Sequence, residues 1–171
     1  MYYQLVAQCA RNLRNVEVWI DNAQELAAAK HFDLTVLLNA RLAPDMKNFI
    51  FQIQAATDYI KGAAAWLSGQ TPPPYPDTEK TVEEIRERIR KTLAFVESVK
   101  ESQYQGAAER KVTFSWAPGR YISGHDYLLE MVIPNSYFHM TTAYAILRHN
   151  GVNIGKMDFL GSLNLAPLKS P

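Results

Sequence analysis

The chain has 171 residues, 47% of them hydrophobic and 20% charged, which is enough for one domain with a real core. Its 18 Lys and Arg nearly balance 17 Asp and Glu, giving a formal net charge of +1 with no basic block. That excludes the concentrated cationic face that nucleic-acid binding needs. The single cysteine, Cys9, excludes an intrachain disulfide. No signal-peptide pattern and no apolar run of membrane-spanning length occurs, so a cytoplasmic protein with no membrane partner is expected.

Four long segments carry helical periodicity. Leu5, Cys9, Leu13, Val16, Ile20, Ala23 and Ala27 recur at spacings of three and four and predict the first helix. A short helical piece follows, with Asp33 as N-cap. The second long helix is expected to open at Pro44 or Asp45 and to stop at Gly69. Then "GQTPPPYPDTEKT" favours extended polyproline backbone. It is longer than two antiparallel neighbours need, which predicts a crossover and a bundle that is not simply up-down-up-down. Thr81 and Glu84 form a capping box for the third long helix, with Val82, Ile85, Ile89, Leu93, Val96 and Val99 as its stripe. In "KVTFSWAPGRYISG" the period changes to two, which predicts a small extended hairpin. The last long helix runs from near Ser123 to before Gly151, and Pro134 inside it should remove one hydrogen bond and bend it. Phe159 and Leu160 of the tail are expected to rest on the bundle. The whole chain, 1–171, reads as one domain.

Helical geometry places several polar residues inward. In the last helix Leu128, Val132, Ala143 and Ile146 surround His139 on the wheel, and Asn135 and Thr142 flank the same stripe. In the second long helix Asp45 and Gln52 fall within the apolar arc, with Tyr59 and Trp66 at its edge. Asp58 falls on the opposite face with Lys47, Gln54 and Lys61, and is set aside. Buried polar groups need partners, so Asp45, Gln52, Asn135 and His139 are expected around a shared polar pocket. Cys9, on an apolar stripe, reads as a small buried hydrophobe. His31, His125 and His149 lack a chemical constellation, and the glycines of "RHNGVNIG" read as a helix stop.

The segments "ARLAPDM", "QIQAATDYIKGAAAWLSG" and "NSYFHMTTAYAILRHNGVNIGKMDFLG" resemble a branch of the DinB-like four-helix-bundle superfamily catalogued as a domain of unknown function. The resemblance implies an all-α bundle with a long crossover between the second and third long helices, and a homodimer. It also implies a divalent metal held by three histidines, one from the second long helix and two from the last, four residues apart. His139 matches the first of that pair, Ala143 stands where the second would be, and Gln52 lies near the place of the third. The triad is therefore broken.

Three functions compete. One is a small-molecule pocket around His139, built with Asp45, Gln52, Tyr59, Asn135 and Thr142. Another is a divalent-metal-dependent enzyme, of hydrolase or thiol-dependent transferase type, with His139 as general base or single imidazole ligand. The last is a non-catalytic dimeric module, suggested by aromatic residues (Tyr2, Tyr3, Trp19, Trp66) beyond what one core needs.

Overall fold

A computed structural model describes residues 1–168; residues 169–171, the end of the expected domain, lie outside it. Helices α1 (Tyr2–Arg14), α2 (Val16–Lys30) and α3 (Thr35–Asn39) lead to the long α4 (Phe49–Ser68) and α5 (Val82–Ser98). Two 3-10 turns follow, and then β1 (Lys111–Val112) and β2 (Ile122–Ser123). Next come α6 (Gly124–Asp126), a π-helical segment (Tyr127–Val132), α7 (Ile133–His149) and α8 (Lys156–Leu160). The apolar residues of all the long helices form one buried cluster.

The first stripe is divided where one helix was expected. Asn15 keeps right-handed backbone angles (φ −65°, ψ −20°), so α2 continues closely from α1. Its side-chain amide donates to the Phe159 carbonyl at 2.9 Å, tying the junction to the tail. Phe159 itself stacks on Trp19 with centroids 5.7 Å apart, whereas Leu160 stays 40% exposed. Helix α4 opens at Phe49 and not at Pro44 or Asp45. Asn48 is the reason: it is extended and its side chain accepts from the Phe51 amide at 3.1 Å, a stronger cap than proline offers. At the other end Gly69, at φ +80°, makes the left-handed stop. The Thr81–Glu84 capping box forms as expected. Strands β1 and β2 pair antiparallel, Lys111 with Ser123 and Val112 with Ile122. Pro134 falls in the first turn of α7, directly after the π-helical segment, where a proline is tolerated.

Side-chain pairings fix the directions of the helices. Arg14 meets Glu97 and Arg86 meets Glu17 and Asp21, so α1–α2 runs antiparallel to α5. Tyr2 lies against His125 and Trp19 against Tyr144, so α1–α2 and α7 run in the same sense. Gln52 meets His139 while Gly62 meets Tyr127, so α7 runs antiparallel to α4. Arg88, near the start of α5, bonds to Gln54, Thr57 and Asp58 near the start of α4. Arg110, beyond the end of α5, donates to the Leu67 carbonyl at the end of α4. Helices α4 and α5 are therefore parallel neighbours. The proline segment travels back along α4 to make that possible: Tyr75 lies beside Lys61 and Glu79 beside Gln54.

Candidate functional site

Helix α7 presents His139 half-buried, between three rings. Tyr59 stacks on it at 5.9 Å and 19°, and Phe138 and Phe51 meet it edge-on at 5.2 and 6.1 Å. Its Nδ1 lies 2.8 Å from Oε1 of Gln52, which is 2% exposed. The Gln52 amide nitrogen donates to the Lys47 carbonyl at 3.0 Å. That bond sets the amide orientation and turns its oxygen toward the ring. Nδ1 therefore carries the proton and donates, and the lone pair of the neutral ring sits on Nε2. Burial holds the His139 pKa below its ordinary value.

The structure brings His139 together with Gln52 and Tyr59, but not with the rest of the expected set. Asp45 lies in the exposed turn before α4, because the helix starts at Phe49. Asn135 donates to the Met131 carbonyl at 2.7 Å, and Thr142 donates to the Phe138 carbonyl at 2.8 Å. Both side chains are thus satisfied within their own helix. Tyr144 reaches the Ile154 carbonyl and packs on Trp19, away from His139. Cys9 is 4% exposed, and burial pushes its thiol up to about 11. It is not a thiolate nucleophile near neutral pH.

The donor set does not fit a three-imidazole metal centre. Ala143 is fully buried and offers a methyl, and both ends of the Gln52 amide are engaged. Among the described residues no group of three His, Cys, Asp or Glu side chains converges.

A cleft of about 600 Å³ lies on the other side of Tyr59, under the crossover. Helix α4 contributes Phe51, Tyr59 and Trp66, and the crossover contributes Pro72–Pro74 and Tyr75. The hairpin loop adds Phe114 and Trp116, and the π-helical segment adds Tyr127 and Met131. Tyr127 is 3% exposed and its hydroxyl occupies the space a Cβ on Gly62 would need, 2.8 Å away. Burial raises its phenol pKa well above the ordinary value. Trp66 therefore borders a cleft and Trp19 is fully buried, so neither is a spare surface aromatic.

The polar face of α4 set aside above forms one wall of this cleft. Gln54 and Lys61 are only 8% and 5% exposed, because the crossover covers them. Lys61 reaches Asp58 at 2.8 Å and lies 3.9 Å over the Tyr75 ring. Arg88, 2% exposed, anchors the arrangement. It donates to Thr57 Oγ1 at 2.7 Å, Asp58 at 2.9 Å and Glu79 at 3.0 Å, and pairs with Asp77 at 3.0 Å. The signal was present in the sequence. Arg88 and Thr92 sit on the α5 stripe, three residues after Ile85 and three after Ile89 respectively, and a cation there demands carboxylates.

Comparison with known families places residues 1–160 in a match to DUF1993, a domain of unknown function. Among solved structures, the chain is similar to a DinB family member protein from Shewanella denitrificans. The two are 42% identical, with 99% of this chain and 95% of that one covered and a TM-score of 0.91. No curated protein matches. Among the described residues no helix is long and apolar enough to cross a membrane.

Proposed function

The chain belongs to the DUF1993 family, with a DinB-like all-α fold, and from that premise we propose that it is a small-molecule-binding protein whose ligand occupies the aromatic cleft. The observation that carries this reading is the cleft itself. Its volume of about 600 Å³ lies in the range of ligand sites, and its rings come from α4, the crossover, the hairpin loop and the π-helical segment. Four separate elements converge on a space that the core does not need. His139 acts here as a buttress: Gln52 holds the ring, and the ring backs Tyr59. A nitrogen-15 spectrum resolves the three tryptophan indole N–H groups. Fragments that bind as proposed shift the Trp66 and Trp116 signals and leave Trp19, bonded to the Asp158 carbonyl, in place. A screen whose hits move only signals outside the cleft would refute the reading.

A second reading draws on the fixed tautomer. A neutral imidazole with its lone pair on Nε2 is equipped as a proton acceptor, the general-base role for His139. Diethyl pyrocarbonate acylates such a nitrogen, and His139 would react within about tenfold of the exposed His31 rate; complete protection removes this role. We also propose a homodimer, through the apolar surface around Phe138 (56% exposed) and Phe51 (36% exposed).

A further inference from the structure

We propose that the cleft takes an organic cation, an amine or N-methylated ammonium head on an apolar body; this rests on the small-molecule reading above. The lining carries two carboxylates, Asp58 and Asp77, against one ammonium, Lys61. That ammonium is already committed. Its side chain is 7% exposed, held against Asp58 Oδ1 and over the Tyr75 ring. An anionic ligand would compete with Asp58 and the Tyr75 ring for it.

The carboxylates are the reverse case. Asp58 receives Lys61 and Arg88 on Oδ1, and Asp77 receives Arg88 on Oδ1. The Oδ2 atom of each meets no donor among the described residues, and the side chains are 42% and 54% exposed. Each lines the cleft and keeps unused acceptor capacity on that oxygen. Around them stand ring faces, which attract cations through the aromatic quadrupole. Tyr75 already seats a cation of the chain itself. Trp116 is 72% exposed and stacked on Phe114 at 5.1 Å and 13°, so one indole face is supported and the other is open. Half-exposed carboxylates beside open aromatic faces favour a weakly hydrated cation over a neutral or anionic molecule of the same shape.

The test is calorimetric titration of the full chain with three probes that share one indole body. Tryptamine carries an ammonium, tryptophol a hydroxyl and indole-3-propionate a carboxylate. Tryptamine is expected to bind about tenfold more tightly than tryptophol. The gap should narrow in Asp77→Asn and in high salt. Asp77 is exposed with one ion pair, so this variant keeps its fold, checked by circular dichroism. Equal binding of tryptamine and tryptophol overturns the cation inference and leaves the small-molecule reading standing. Tightest binding by the propionate overturns it in favour of an anion site at Lys61. If none of the three binds at millimolar concentration and the fragment screen leaves Trp66 and Trp116 unmoved, both readings fall.

Discussion

Arg88→Met tests whether the buried guanidinium fastens the crossover. Methionine keeps most of the aliphatic volume and removes the charge. Arg88 is 2% exposed and joins α4, α5 and the crossover through Thr57, the Gln54 and Pro76 carbonyls, Asp58, Asp77 and Glu79. The pairs with Asp58 and Asp77 are half-exposed at the carboxylate and contribute little. Glu79, 12% exposed, carries most of the loss, with the Thr57 hydroxyl and the carbonyls. Removing one partner of a buried pair costs about 3–5 kcal/mol, and the exposed members place this case near the lower end. For a domain of this size that is a melting temperature lower by about 10 °C. Burial alone would raise the Glu79 pKa, but the Gln54 amide, its own backbone amide and Arg88 outweigh it and hold it below the ordinary 4.5. A depressed carboxylate contributes stability that is whole above pH 4.5 and lost as pH falls through the folded value. The variant should therefore lose part of the wild-type acid dependence below pH 4.5. Denaturant unfolding at pH 7 and pH 4, in a cycle with Glu79→Gln, measures both terms, with an expected coupling of about 1–3 kcal/mol. A loss under about 1 kcal/mol, or additive mutations, would refute the clamp.

The remaining predictions are briefer. The His139 ring should titrate by NMR with a midpoint below the ordinary 6.5, since burial disfavours its charge; its stability contribution is whole above pH 6.5 and fades as pH falls through the folded value, and a midpoint at or above 6.5 contradicts the site. Gln52→Leu should destabilise by about 1–3 kcal/mol, because it leaves Nδ1 and the Lys47 carbonyl without their partner; a neutral result in denaturant unfolding argues against the bond. Gly124→Ala places a Cβ 1.9 Å from the Ala107 carbonyl oxygen and should cost about 3 kcal/mol or more, whereas a melting temperature within about 2 °C of wild type would show that approach to be looser. Light scattering should return twice the 19.4 kDa chain mass, with Phe138→Glu reverting it to one; a monomer at tens of micromolar, roughly where standard interfaces associate, sinks the dimer.

The helices were legible because their signals are local. Spacings of three and four, the Gly69 stop and the Thr81–Glu84 box each depend on residues within one turn of one another. Local rules also placed His139 inward and opposite Gln52. They failed at Asp45, where Asn48 competed as a cap and a single-residue choice of start carried the whole assignment. The cleft was hidden for a different reason. A wheel calculation treats the face with Asp58, Lys61 and Gln54 as solvated, and only the return path of the crossover, a non-local event, covers it. Arg88 was the accessible warning. A cation on a stripe with Ile85 and Ile89 requires acidic residues from elsewhere in the chain, and "PDTE" in the crossover supplies two of them.

Because α4 and α5 run parallel, the chain must cover again, outside the helix, the height that α4 has climbed. From Gly69 back to the level of Gln54 is roughly 20 Å at 1.5 Å per residue. Reaching Glu79 in polyproline conformation, at about 3.1 Å per residue, gives roughly 30 Å of reach. The surplus amounts to about three residues. Deletions of up to that size can be absorbed by straightening, and larger ones would pull Glu79 off Arg88 and unroof the cleft. Insertions meet no such limit and would bulge outward over Trp66 and Tyr75. The tolerance of this segment to changes in length is thus one-sided, and it is set by the height of a helix to which the segment does not belong.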